Sequence, residues 1–451
     1  MTIELAVGIA MAVFILSLLC GMHIHSVLLL SGAVGLICIA GTGLLAGLIG
    51  AQPIGAVSSY SLSTIPLYVL MAQFIVQAGI VKDLFQVVHK LSRGRTGVLG
   101  ALTFGAGGVF GAVSGSGVAT AAALGQVAVP ELRSRGFSPH LAGATAAAAG
   151  SLSSIVPPSL ALIVYGVATE TPIGDLFIAA VIPALLMLTI YTMVMIGLLR
   201  RESRAAGIPR TKMRLSEGGE TISRYRLSVA IGVVTIVGIV IFGGIYLGFV
   251  TPTEAGALGA FTGLVGAFLI GRVDRNYVVR SISETVKLTS MVMLILVAAQ
   301  IFGRFISVSR VPRDLIAGLA PLVERPALML AILAVAFFVA FMFLEGAAVI
   351  LMSIPVVIPL VETMGVDVLW FGIFICVIST IGQLTPPVGL CVYAVSSTAR
   401  ISANKIFRPA LAMAIIATIV MAAALVLFPD MTNWLLDADD GGLMTEGSPF
   451  K

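Results

Sequence analysis

Hydroxyls, glycines and one carboxylate gather in four polar islands of an otherwise apolar chain. Ser114-Gly115-Ser116-Gly117 and the run from Ser151 to Pro158 (SLSSIVPP) lie in its first half. Glu345-Gly346 and the run from Gly382 to Gly389 (GQLTPPVG) lie in its second. The two Pro-Pro steps stand 229 residues apart in a chain of 451. Each follows its upstream island at a similar distance, 43 residues from Ser114 to Pro157 and 41 from Glu345 to Pro386. Proline removes a backbone N–H and clashes with the preceding turn. A helix broken within a bilayer therefore exposes polar groups that must find partners. Freed carbonyls can coordinate a cation, and half-helix N-termini can face an anionic group. The neutral oxygens of Ser114, Ser116, Ser151, Ser153 and Ser154 suit Na+ in the first half; Glu345, Gln383 and Thr385 add oxygens, one of them charged, in the second. Gly115, Gly117, Gly346 and Gly382 let the backbone approach closely. A single proline in a membrane helix is commonly a tolerated kink, and small-residue runs such as Ala142–Gly150 mark helix packing. The duplication is what points to two sites.

The elements that must position these islands are membrane helices. Hydrophobic residues make up 59% of the chain and charged residues 10%, and stretches of the ~20 apolar residues needed to span a bilayer fill nearly all of it. A separate soluble domain and a cleavable signal peptide are not expected, since Glu4 is the only charge near the N-terminus. Polar connections at 82–95, 131–135, 200–226, 272–287 and 400–408 hold 21 of the 26 Lys and Arg, and the positive-inside rule places them in the cytoplasm. Spans fit near 4–21, 26–48 and 61–80. The apolar stretch 97–129 has basic loops on both sides, so it is read as a re-entrant hairpin turning at Ser114–Gly117. A span broken at Pro157-Pro158 follows (140–171), then one at 173–199. After the basic connector 200–226, with room for a surface helix, the second half reads 227–249, 252–270, 287–304, a hairpin 326–361, a broken span 366–399 and a last span 406–428.

The expected fold is thus an all-α polytopic membrane protein of two inverted repeats, 1–199 and 227–428. Each has five spans plus a re-entrant hairpin, with helices broken at Pro-Pro. Five is odd, so the second half enters the membrane the opposite way up, and both termini, including the acidic tail 429–451, fall outside. Arg304, Arg310, Arg313 and Arg325 also fall outside and are the exception to the charge rule.

Other chemistry finds little support. Cys20, Cys38, Cys376 and Cys391 lie singly in apolar segments, with neither Cys-x-x-Cys nor a Cys/His cluster, so no disulfide frame, zinc site or other cofactor is expected and the cysteines read as small hydrophobes. The basic residues are topological anchors spread over short loops, so nucleic acid is not implied. Glu254, in Thr251-Pro-Thr-Glu254, reads as helix capping. Glu170 and Asp175 read as interfacial, and His23 and His25 as solvated turn residues. An intramembrane serine enzyme using Ser114 or Ser116 with His140 meets neither a Gly-x-Ser-Gly pattern nor a membrane-depth base, so the chain is not read as an enzyme.

Four motifs resemble the large membrane subunit of TRAP (tripartite ATP-independent periplasmic) transporters. They are Gly111–Thr120 (GAVSGSGVAT), Ser154–Ser159 (SIVPPS), Thr251–Gly256 (TPTEAG) and Leu384–Leu390 (LTPPVGL), and the likeness runs over nearly the whole chain in the expected order. The resemblance implies Na+-driven uptake of a carboxylate-bearing solute across the bacterial inner membrane. A periplasmic binding protein delivers the solute, a separate small four-helix membrane subunit widens the scaffold, and an elevator-type movement carries the site. It also implies one Na+ site on Ser114, Gly115, Ser116, Ser153, Ser154 and Pro157. A second falls on Glu345, Gly346, Gly382, Gln383, Thr385 and Pro386. Substrate would lie between the tips, near Ser116, Pro158, Ala347 and Pro387. Glu345 stands where the family often has Asp. The alternative is a binding-protein-independent Na+-coupled anion symporter of the same general fold.

Overall fold

A computed structural model of the chain describes residues 2–58, 60–92, 95–114, 116–205, 223–318 and 320–437. Helices dominate, because a bilayer offers the backbone no hydrogen-bonding partner and a helix satisfies its own groups. Among the described residues, eight helices are long and apolar enough to cross a membrane. The first half runs α1 (Ile3–Leu19), α2 (Ile24–Val57), α3 (Thr64–Gln77), α4 (Ile80–Leu91), α5 (Thr96–Ser114), α6 (Gly117–Ser134), α7 (Pro139–Ser151), α8 (Leu160–Thr169) and α9 (Ile173–Ala205). The second runs α10 (Arg224–Gly238, continued by a π-helical turn Ile239–Gly244), α11 (Pro252–Leu269), α12 (Arg275–Val308), α13 (Val311–Gly318) and α14 (Ala320–Val323). It continues with α15 (Pro326–Phe343), α16 (Gly346–Thr363), α17 (Val368–Gly382), α18 (Leu390–Ala399), α19 (Ala403–Leu427) and a terminal turn, α20 (Trp434–Asp437).

The same element order therefore occurs twice: three helices, a short connection (α4 in the first half, α13 and α14 in the second), a helical hairpin, a broken helix and a long helix. The register is close. α6 and α16 are both 18 residues long and begin 229 residues apart, as do α7 and α17. One group of helices packs α2 along α12, α11 along α3, and α3 against α12. The other packs α6 on α7 and α18, α16 on α8, α5 on α7, α15 on α17, and α19 on α9. Polar ties join distant segments within these groups: Thr64 and Thr253 hydroxyls lie 2.6 Å apart, and the Tyr165 hydroxyl donates to the Val368 carbonyl at 2.6 Å.

Several boundaries differ from the sequence reading. The segment read as a polar connection from Lys82 holds α4, an amphipathic helix whose Asp83 is buried and pairs with Arg226 at 3.0 Å. The first hairpin extends past Val129 and Pro130 to Ser134. α12 begins at Arg275 rather than Lys287, its charged residues forming the first turns of one long helix. A surface helix in the connector and most of the acidic tail concern positions 206–222 and 438–451, which lie outside the described residues. Thr251 and Glu254 form a complete capping box: Thr251 N donates to Glu254 Oε2 at 2.8 Å, and Glu254 N donates to Thr251 Oγ1 at 3.3 Å.

Candidate functional site

The four polar islands meet at Gln383. Its Nε2 donates to Ser154 Oγ and to Ser379 Oγ, each at 2.9 Å, and its Oε1 accepts from Cys391 Sγ at 3.3 Å. A Cβ placed on Gly117, the first residue of α6, would stand 2.6 Å from Gln383 Oε1 and 3.3 Å from Ser153 Oγ. One placed on Gly346, the first residue of α16, would stand 2.9 Å from Ser379 Oγ and 3.9 Å from Gln383 Nε2. Both hairpin tips thus close on the Gln383 cluster, where an added Cβ would crowd the amide oxygen at Gly117 and the Ser379 hydroxyl at Gly346. Gly111 of α5 presses on Ser153 in the same way, and Gly382 lies against Phe341, with a Cβ there 2.7 Å from Phe341 Cβ.

The tips are capped turns. Ser116 is the N-cap of α6, and its Oγ accepts from Ala119 N at 3.5 Å. Glu345 is the extended N-cap of α16 and makes no side-chain capping bond; its half-buried carboxylate has no ion pair among the described residues. Ser114 Oγ shares a short hydrogen bond with Thr120 Oγ1 and donates to the Ser116 carbonyl at 3.2 Å. Pairing by N-caps sets Ser116, not Ser114, opposite Glu345. The tip-to-Pro distance is then 41 residues in both halves. Gly115 lies outside the described residues.

At each break the prolines strip donors from the carbonyls four residues upstream. Pro157-Pro158 and Pro386-Pro387 are both cis. Three of the four stripped carbonyls are repaired locally. Ser159 Oγ donates to the Ser154 carbonyl at 2.9 Å, Thr385 N to Gly382 at 3.0 Å, and Cys391 N to Gln383 at 3.2 Å. The fourth belongs to Ser153, whose fully buried hydroxyl has no hydrogen-bond partner among the described residues. A buried polar atom left unpaired costs about 1–3 kcal/mol, so Ser153 is where this cluster has oxygen to offer. Thr385 Oγ1 is spent on the Ile381 carbonyl at 3.0 Å, and Ser151 Oγ on Ala148 at 3.0 Å. No group of three or more His, Cys, Asp or Glu occurs among the described residues; the hydroxyls, carbonyls and one carboxylate are hard oxygen donors.

The residues expected around substrate differ in burial. Ala347 is buried beside Gly346, Pro387 is exposed, and Pro158 is buried. Pro157 and Pro158 instead line a 100 Å3 apolar cavity with Met71, Ile75, Val234 and Val237. A larger cavity, 930 Å3, lies between α3, α11 and α12 on one side and α8, α9 and α16 on the other. Sequence reasoning did not single out Ser379 or Cys391. Ser379 had a signal, lying one helical turn before Gln383; Cys391, read as a small hydrophobe, is buried but also donates to Gln383.

Comparison with known proteins places this architecture. The chain matches the family described as the DctM component of the tripartite ATP-independent periplasmic transporter over residues 11–431. It is 31% identical over 384 residues to the C4-dicarboxylate TRAP transporter large permease protein DctM of Pseudomonas aeruginosa, covering 83% of this chain and 87% of that protein. It is 29% identical over 382 residues to the sialic acid TRAP transporter large permease protein SiaM of Vibrio cholerae, covering 84% and 87% respectively. Among solved structures, the YdaH transporter of Alcanivorax borkumensis superposes with a TM-score of 0.62 at 15% identity over 86% of this chain and 89% of that one. MtrF of Neisseria gonorrhoeae gives 0.60 at 11% identity over 93% and 94%. These two show a shared fold. With the family match spanning nearly the whole chain, it belongs to the DctM family of TRAP transporter large permease subunits, as a multi-pass membrane protein.

Proposed function

We propose that this subunit carries a carboxylate-bearing solute inward together with Na+. The solute would be a C4-dicarboxylate, a sugar acid or a similar acid. The observation that carries the reading is the convergence of both hairpin tips and both Pro-Pro breaks on Gln383, beside the unsatisfied Ser153. Paired broken helices that meet in the middle of a repeated fold suit coupling-ion sites at the bilayer midplane. Ser114, Ser116, Ser153 and Ser154 would serve the first cation and Glu345 with the Gly382–Pro386 loop the second. The solute would sit between the tips. Relatives whose names specify sialic acid or C4-dicarboxylates support an acidic cargo.

The 229-residue register, with an odd number of spans in each half, supports two inverted repeats and an outward placement of both chain termini. The grouping of α2, α3, α11 and α12, which meets the hairpin-bearing group through α3 on α5 and α12 on α16, supports an elevator-type movement of the second group against the first. A small four-helix membrane subunit and a periplasmic binding protein complete the transporter. Reconstituted with both partners, the chain is expected to take up solute only when external Na+ is present. Undiminished uptake after replacement of Na+ by K+ or choline would refute the coupling. Full transport by the chain alone would favour a symporter that needs no binding protein.

A further inference from the structure

Arg310 and Arg313 belong to the one basic segment that the charge pattern sets on the outer face. They line a 400 Å3 cavity with Ser307 at the end of α12 and Pro355 and Pro359 of α16. Neither guanidinium has an ion-pair partner or side-chain hydrogen bond among the described residues, whereas Arg226 is held by Asp83 and Arg135 by Glu131. Arg310 joins α12 to α13 in a left-handed conformation, φ 59°, that glycine would adopt with less strain.

The cavity is one station of a longer furrow between α12 and α16. Pro355 also lines the 930 Å3 cavity, with Gln300 and Gly303 of α12 and Leu351 and Ile354 of α16. Pro355 lines both spaces, and a Cβ on Gly303 would stand 3.3 Å from its Cβ. One end of the furrow therefore carries two arginines with no ion pair among the described residues, and the other opens into the 930 Å3 cavity. Planar guanidinium groups match paired oxygens of a carboxylate or phosphate, and like charges gathered at a cleft raise the local concentration of anions.

We propose that Arg310 and Arg313 form an oxyanion-binding station that feeds the large cavity, separate from the cluster around Gln383. Its role in capture from outside rests on the outward placement proposed above; the binding itself does not. The oxyanion has two sources, a free carboxylate or phosphate and the headgroup of an anionic lipid. To separate them, the purified chain in phosphatidylcholine nanodiscs is treated with phenylglyoxal, and arginine modification is mapped by mass spectrometry. The probes are succinate and inorganic phosphate, and a second set of discs contains phosphatidylglycerol.

In phosphatidylcholine discs, either free anion at twice its Kd should lower modification of Arg310 and Arg313 by about threefold through mass action, and leave exposed Arg272 and Arg280 unchanged. Arg310→Gln should remove the protection of Arg313. Salt at about 1 M, where the Debye length is about 3 Å, should also remove protection. Protection seen only with phosphatidylglycerol would assign the station to a headgroup and overturn its feeding role. Equal modification under all conditions would overturn the site. Both faces of a nanodisc meet solution, so an error in membrane orientation leaves this result intact and would appear instead as labelling of Arg310→Cys from the cytoplasmic side in intact cells. An error in Na+ coupling would appear only in uptake.

Discussion

Ser153 and Ser151 are two residues apart, have the same chemistry, and are both fully buried. They differ in what their hydroxyls touch. Ser151 Oγ is spent on its own helix and Ser153 Oγ on nothing among the described residues. Ser153→Ala is therefore expected to raise the Na+ concentration for half-maximal uptake about tenfold, the equivalent of about 1.4 kcal/mol, while Ser151→Ala leaves it within about twofold. Equal behaviour of the two variants would remove Ser153 from the site. The residue types of the site were legible in the sequence because proline, glycine and serine act locally, on their own backbone. Gln383 was legible as an oxygen donor, but its role was not. Its partners Ser154, Ser379 and Cys391 come from three helical segments, and only packing reveals that the amide already spends both ends on them.

At the scale of elements, hydrophobic length found the spans and charge hid α4 and the first turns of α12. α4 reads as a loop when its Lys and Asp residues are counted. It folds because Ile80, Val81 and Leu84 share a face with Asp83, whose carboxylate is satisfied by Arg226 of α10 through two hydrogen bonds of 3.0 and 3.3 Å. Asp83 is buried while the Arg226 side chain keeps 30% of its exposure, so solvent screens the pair in part. Asp83→Asn should destabilise the subunit by about 1–2 kcal/mol, read as a fall of a few degrees in its detergent melting temperature. Adding Arg226→Gln should recover part of that loss, because no unpaired charge then remains. A double variant as unstable as the sum of the singles would mean that the two side chains act independently.

For the whole molecule, repetition was legible before the fold because both halves carry the same punctuation, while the packing of one group of helices on the other was not. That packing is open to a direct check. Gly303 of α12 faces Pro355 of α16 across the furrow, with a Cβ at Gly303 3.3 Å from Pro355 Cβ, just under the roughly 3.5–4.5 Å Cβ–Cβ span of a disulfide. With exposed Cys20 and half-buried Cys38 replaced, Gly303→Cys with Pro355→Cys should cross-link on oxidation and stop uptake, and a reductant should restore it. Uptake that continues in the fully cross-linked subunit would exclude sliding of α16 along α12 from the transport cycle. The bond between Ser154 and Gln383 also bears on how the protein is made. The ribosome reaches Gln383 229 residues after Ser154, a wait of roughly 10–50 s at about 5–20 residues per second. For that interval the first half sits in the bilayer with the Ser154 hydroxyl lacking its Gln383 partner, so a nascent chain stalled before Gln383 is a stage of synthesis at which an insertase or chaperone would shelter it.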